Sequence, residues 1–180
     1  MIDELMANER NVTEVKGGVS SGQKEGDFTP ALPMNRTLCF KERRYIEELR
    51  ILTRATALDC IIDDRFDRII YVIRQGDMGL AIGKKGNNTR KMQKVLGKRI
   101  EMVEYSSDPE QFIRNIFRPA EIVAVQRAEN NRINVYVGKR SDLGIAIGKG
   151  GCTIEKARLL SNRLFGLDLG DVLVAGEKDA

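Results

Sequence analysis

Residues 71–86 read YVIRQGDMGLAIGKKG, and residues 136–151 read YVGKRSDLGIAIGKGG. At a constant offset of 65, nine of the sixteen positions are identical: Tyr71/Tyr136, Val72/Val137, Asp77/Asp142, Gly79/Gly144, Ala81/Ala146, Ile82/Ile147, Gly83/Gly148, Lys84/Lys149 and Gly86/Gly151. Arg74/Lys139 is a conservative match. A long period occurring twice means tandem domains rather than a solenoid. The fold therefore follows from the surroundings of one copy, checked against the other.

Those surroundings agree. Ahead of the first copy, FKERRYIEELRILTRA places Ile46, Leu49 and Leu52 at near-helical spacing, an amphipathic helix. Short β-branched runs at 59–62 and 68–74 flank a turn at 63–67, a hairpin. Ahead of the second copy, Asp108-Pro109-Glu110 reads as N-cap, first helical position and acidic first turn. Phe112, Ile113, Ile116 and Phe117 follow on one helical face, and Arg118-Pro119 stops the helix. Strands at 121–127 and 132–138 turn at Glu129-Asn130-Asn131. After each glycine loop comes a helix, 87–96 and 153–165, closed by Gly97 and Gly166 as C-caps. Final strands cover 99–105 and 167–175. The expected fold is α+β, two copies of a three-stranded sheet covered on one face by helices. Each copy is small, so the two are expected to pack together or share a short rigid joint at Ser106-Ser107.

Composition removes several chemistries. The chain has 180 residues, 30 basic and 26 acidic, and no His, which excludes Ser-His, Cys-His and His-metal sites. Cys39, Cys60 and Cys152 are widely spaced and support neither a disulfide framework nor a zinc knuckle; they read as small buried or semi-buried thiols. Tyr71 and Tyr136 read as packing residues. No metal or cofactor is called for. No apolar run approaches the roughly 18 residues of a membrane span. No basic-then-apolar leader opens the chain, so a cytoplasmic protein without membrane association is expected.

Charge is uneven. Residues 36–107 hold 16 basic and 10 acidic side chains, a net +6, whereas residues 1–35 are net −3. Lys84, Lys85, Arg90, Lys91, Lys94, Lys98 and Arg99 run together without an acid, a cluster best tolerated against a polyanion.

Two glycines around two residues, Gly83-Lys84-Lys85-Gly86 and Gly148-Lys149-Gly150-Gly151, let the backbone turn sharply and approach a ligand closely. Amides at the start of the next helix then point at a phosphate, and the helix dipole favours the anion. Lys84, Lys85 and Lys149 add charge without reading sequence. Asp77 and Asp142 fall where the preceding short helix needs an N-cap. Ile82 and Ile147 can wall an apolar platform for bases. The spacing is wrong for a P-loop, and the loop follows a helix, which excludes the dinucleotide fingerprint.

Ala81-Ile82-Gly83-Lys84-Lys85-Gly86 and Ala146-Ile147-Gly148-Lys149-Gly150-Gly151-Cys152-Thr153-Ile154 resemble the I-G-x-x-G-x-x-I core of KH domains, modules that clamp about four nucleotides of single-stranded RNA. The element order resembles the prokaryotic, type II form. Tandem copies with the phrases GDMGLAIGKKG, KRIEMVEYSSDPEQFIRN and KARLLSNRLFGLDLGDVLV resemble the short archaeal NusA-like transcription termination proteins over roughly residues 36–175. In the first copy Thr89 stands where the pattern has an apolar residue.

The resemblance implies a KH domain at 36–106, a second at 107–175 and a short tail at 176–180. It implies RNA contacts from Ile82, Gly83, Lys84, Lys85, Gly86, Ile147, Gly148, Lys149, Gly150 and Gly151, with Arg90, Lys91 and Lys94 extending the positive surface. The implied function is non-enzymatic binding of single-stranded RNA in transcription termination or antitermination. A ribosome- or RNA-processing-associated KH assembly factor is the alternative. Bacterial members carry a polymerase-binding domain and an S1 domain ahead of the KH pair, and no stretch here is expected to supply them. RNA polymerase or other transcription factors thus stand only as candidate partners. A nuclease using Asp59, Asp63 and Asp64 is the enzymatic rival, but Asp around a hairpin is ordinary turn chemistry. Residues 1–35, rich in Gly, Ser, Asn and Glu, read as a disordered tail; Met34 as the true start is the equal alternative.

Overall fold

The computed structural model describes residues 37–128 and 131–176. The expected tail at 1–35, the expected tail at 176–180 beyond Gly176, and the turn residues Glu129 and Asn130 lie outside the described residues. The first module runs α1 (Phe40–Thr53), β1 (Ala57–Asp63), β2 (Arg68–Ile73), α2 (Met78–Ile82), α3 (Asn87–Leu96) and β3 (Arg99–Glu104). The second runs α4 (Pro109–Phe117), β4 (Ile122–Arg127), β5 (Arg132–Val137), α5 (Arg140–Ile147), α6 (Cys152–Phe165) and β6 (Asp168–Val174).

Local chemistry sets most boundaries. The Asp108 carboxylate accepts from the Glu110 and Gln111 amides, each at 3.2 Å, and Pro109 supplies the first turn of α4. Gly97 and Gly166 close α3 and α6 in the left-handed conformation. Helix α1 starts at Phe40, where the stretch read as a helix begins, but Cys39 is not the buried or semi-buried thiol expected. Cys39 is exposed and is the N-cap of α1: Glu42 N–H donates to Sγ, and the Glu42 carboxylate accepts from the Cys39 amide. Cys60 is fully buried, and Cys152 is half-buried.

Each sheet is mixed. In the first, β1 pairs antiparallel with β2, and β3 joins β2 in parallel; the second repeats this with β4, β5 and β6. A parallel partner requires a crossover, so the chain between β2 and β3 must climb over one face as α2, loop and α3. Ile69, Tyr71 and Ile73 share a core with Leu49, Ala81 and Met92 from the helices of their own module. The alternate residues Ile70 and Val72, with Val103, join the core of the second module alongside Phe112, Ile116, Leu160 and Leu164. The second module thus covers the face of the first sheet that its own helices leave bare. This is why every residue of β2 is buried, as in strands covered on both sides.

The repeat is not in one register throughout. Ala57 faces Ile73, and Ile122, 65 residues on, faces Val137 rather than Gly138. The Tyr105 amide donates to the Ile73 carbonyl, and the Ala175 amide donates to that of Val137. Strand β5 is therefore offset by 64, and one extra residue before α5 restores 65 in the loop. A slip of one residue reverses sheet faces. Tyr71 and Tyr136 are identical letters at inequivalent positions: Tyr71 is buried and donates to the Tyr45 carbonyl at 3.0 Å, whereas Tyr136 is half-exposed. Arg74 and Lys139 are likewise out of step.

Ion pairs cross between the modules. Arg163 on α6 donates to both Asp59 oxygens at 2.8 and 3.2 Å. Lys156 donates to Glu101 at 3.0 Å, and Arg68 reaches Glu101 from the other side, also at 3.0 Å. Burial pushes the Glu101 carboxyl up, but Lys156 and Arg68 together hold it below its ordinary value of 4.5. A carboxyl depressed on folding stabilises the fold above its unfolded value and loses that contribution as pH falls through the folded one. The melting temperature should hold level from neutrality to about pH 5 and decline below it. In thermal melts Glu101→Gln should flatten that acid decline; an unchanged decline would assign it to other carboxylates.

Candidate nucleic-acid interface

The two glycine loops have the same backbone. Gly83 lies at φ 72°, ψ 171° and Gly148 at φ 75°, ψ 167°, a region essentially reserved for glycine. Lys85 and Gly150, the third residues, both lie in the left-handed region at φ 52° and 63°. Gly86 and Gly151 follow at φ 73° and 80° and lead into α3 and α6. Copy two thus uses glycine where copy one holds a lysine in a conformation that L-residues resist.

Some of the amides are consumed by the turn itself. Gly86 N–H donates to the Gly83 carbonyl and Gly151 N–H to that of Gly148, each at 3.0 Å. The first amides of α3 and α6, on Asn87 and Cys152, donate to Lys84 and Lys149. The expectation that the helix-start amides point outward is corrected here: a 3₁₀ turn closes the loop and uses them. The turn's bonds do not involve the amides of Lys84 and Lys85, or of Lys149 and Gly150, at the tips. These four residues are exposed.

Gly83 is required twice over. A Cβ there would lie 2.6 Å from Asn88 Cγ, and Asn88 Nδ2 donates to the Leu80 carbonyl at 2.8 Å, tying α3 to the end of α2. A Cβ at Gly86 meets nothing within 4 Å. Gly83→Ala should therefore cost roughly 1–3 kcal/mol in urea denaturation and Gly86→Ala only about 1 kcal/mol. Equal losses would mean that the close approach to Asn88 is relieved freely.

Asp77 stands at the N-cap of α2 but makes no capping bond; its carboxylate accepts from the Thr56 amide at 2.9 Å and from Arg74. Burial raises its carboxyl, and these donors outweigh that and hold it low. Asp142 is no cap at all. The extra residue before α5 starts that helix at Arg140, with Lys139 as N-cap and Asp142 in its first turn.

Beside the loops, Ile82 and Ile147 are 38% and 39% exposed, with Leu80 and Ile145 also open to solvent. Apolar side chains thus stand exposed at the same place beside the loop in both modules. Lys91 and Lys94 are exposed along α3. Arg90 is exposed as well, and its guanidinium also donates to the Lys85 carbonyl at 2.7 Å and braces the loop. The carboxylates weighed for a nuclease each face a cation: Asp59 meets Arg163, Asp63 meets Arg68, and Asp64 meets Lys98. No group of His, Cys, Asp and Glu suited to a metal occurs among the described residues, and none of their helices is long and apolar enough to cross a membrane.

Comparison with known proteins places this geometry. Residues 42–123 match the KH domain family, and residues 109–169 match the NusA-like second KH domain. A protein of Halococcus morrhuae named probable transcription termination protein NusA is 37% identical over 136 residues, 75% of this chain and 96% of that one. A protein of the same name from Methanococcus vannielii is 39% identical over 132 residues, covering 72% of this chain and 75% of its own. Among solved structures, the crystal structure of APE1850 aligns at a TM-score of 0.67 with 36% identity, covering 76% of this chain and 99% of that one.

Proposed function

The chain belongs to the NusA-like family of tandem KH proteins, and from that premise we propose that it is a non-enzymatic, single-stranded RNA-binding protein of transcription termination or antitermination. Residues 36–106 and 107–175 are the two RNA-binding modules. The observation that carries this reading is the twofold occurrence of one outward turn, with exposed cationic or glycine tips between glycines at positive φ. Backbone amides at Lys84, Lys85, Lys149 and Gly150 meet phosphate oxygens, and the lysine ammonium groups neutralise them. Ile82 and Ile147 support unstacked bases. Gly83, Gly86, Gly148 and Gly151 shape the grips, Arg90 stiffens the first, and Lys91 and Lys94 extend its field. RNA is the first partner, and RNA polymerase or other transcription factors are the candidate further partners. The docking of the two modules through one core supports a continuous grip, in which one module raises the effective concentration of the other.

Titration of a labelled single-stranded RNA and of the corresponding duplex, at salt from 50 to 200 mM, tests this reading. Neutralising about five phosphates should give log K a slope of roughly −3.5 against log salt. The single strand should bind more tightly than the duplex. A flat salt response, or preference for the duplex, would overturn the reading. Labelled RNA left with the protein and magnesium should remain uncut.

A further inference from the structure

The two loops share a backbone but not their supports. The first is braced from within its module, by Arg90 on the Lys85 carbonyl and by Asn88 on the Leu80 carbonyl. At the matching positions of α6 stand Glu155 and Thr153. Glu155 turns instead to Arg158 at 3.2 Å, and the Thr153 hydroxyl has only a long contact to Cys152 Sγ. The second loop also carries one more glycine, Gly150. By its own sequence it is the looser of the two.

Its support comes from the other module. Arg68, at the start of β2, is fully buried and splits its guanidinium three ways. Nε donates to Asp63 at 2.8 Å, Nη1 to Glu101 at 3.0 Å, and Nη2 to the Cys152 carbonyl at 2.7 Å. Cys152 is the residue immediately after Gly151. One turn further along α6, Lys156 closes the same network on Glu101, and Glu155 lies 3.9 Å from Arg65 in the β1–β2 turn. In β5, the strand equivalent of Arg68 at the 64-residue offset is Arg132, an exposed arginine 3.6 Å from Asp171. Only the arginine covered by a following module becomes a clamp. A planar fork with five donors can serve three acceptors in fixed directions, which a lysine cannot.

We propose that Arg68 is a positioning residue for the second phosphate loop, holding the entry to α6 through the Cys152 carbonyl so that the first module sets the grip of the second. This rests on the reading of Gly148–Gly151 as a phosphate grip.

Arg68→Lys keeps the buried charge and removes the fork. Amide hydrogen exchange at Gly151 and Cys152, whose bonds close the second turn, should become about tenfold faster. The matching amides Gly86 and Asn87 should not change. Glu101→Gln, a milder loosening of the same network, should give the same selectivity at about threefold. Adding Glu155→Arg to Arg68→Lys rebuilds the brace of the first loop and should restore slow exchange. Unchanged exchange at Gly151 and Cys152 in both variants overturns the proposal. So does equal acceleration in both loops of Glu101→Gln, the variant that decides if Arg68→Lys does not fold. In RNA titrations, Lys149→Asp should weaken the unsubstituted protein about tenfold and the Arg68→Lys protein no more than about threefold. If Lys149→Asp is silent in the unsubstituted protein while exchange still responds to Arg68→Lys, the clamp stands and the RNA reading of the second loop falls.

Discussion

Replacing both tip lysines of the first loop, Lys84→Asp with Lys85→Asp, should weaken single-stranded RNA binding about 100-fold near 100 mM salt. Each substitution exchanges an attraction for a repulsion at a phosphate, and a charge-assisted contact of this kind contributes roughly 1.5 kcal/mol. Two such losses total about 3 kcal/mol, or two decades in affinity. Stability should hardly move. Both side chains are exposed, and Lys85 sits at φ 52°, where Asp is better tolerated than most residues. The corresponding pair Lys149→Asp and Gly150→Asp removes one cation instead of two but still adds two carboxylates, and should weaken binding less, about 30-fold. Affinity by fluorescence anisotropy, beside a melting curve of each variant, separates the two effects. The gap should narrow as salt rises. Equal losses from the two loops would show that backbone amides, the same in both, dominate the grip over lysine charge.

The largest effect on stability is expected at Phe112→Ala, with roughly 3–5 kcal/mol lost in urea denaturation. Phe112 is fully buried, and its ring lies 5.9 Å from Tyr105 and 5.5 Å from Phe165. Tyr105 and Phe165 stack at 6.3 Å with planes 6° apart. Tyr105 follows β3 of the first module, whereas Phe112 and Phe165 belong to α4 and α6. The cavity therefore opens where the modules join, in the core that also holds Ile70, Val72 and Val103. Because that core is shared, the substituted chain should still melt in one transition, shifted down by about 10 °C. Two separated transitions would mean that the modules fold independently and that the shared core contributes little.

The module plan is legible in the residues alone because it is local. Asp108-Pro109, Gly97 and Gly166 mark helix ends through backbone chemistry within a few residues, and α4, α3 and α6 begin or end there. The glycine loops are legible for the same reason, since the positive φ at Gly83 and Gly148 leaves one residue type available. Identity over the sixteen-residue repeat misleads in one respect. Tyr71 and Tyr136 align by letter, yet strand pairing sets them one residue apart and on opposite faces. A signal exists in β2 itself: the unbroken apolar run Ile69–Ile73, against the alternation of Arg132-Ile133-Asn134-Val135 in β5, marks a strand buried on both faces.

By itself, then, the sequence determined that there are two like modules, the order of their elements, and where each chain reversal needs glycine, since these depend on torsional preference and hydrophobic period over a few residues. Only the tertiary structure decided that the second module caps the bare face of the first sheet. That same packing makes Arg68 a buried three-way donor while leaving Arg132 exposed, and turns Arg90 back onto its loop. The reason is physical: burial, charge pairing and strand register are set by residues that meet across tens of positions, and a letter carries no record of which face it will occupy.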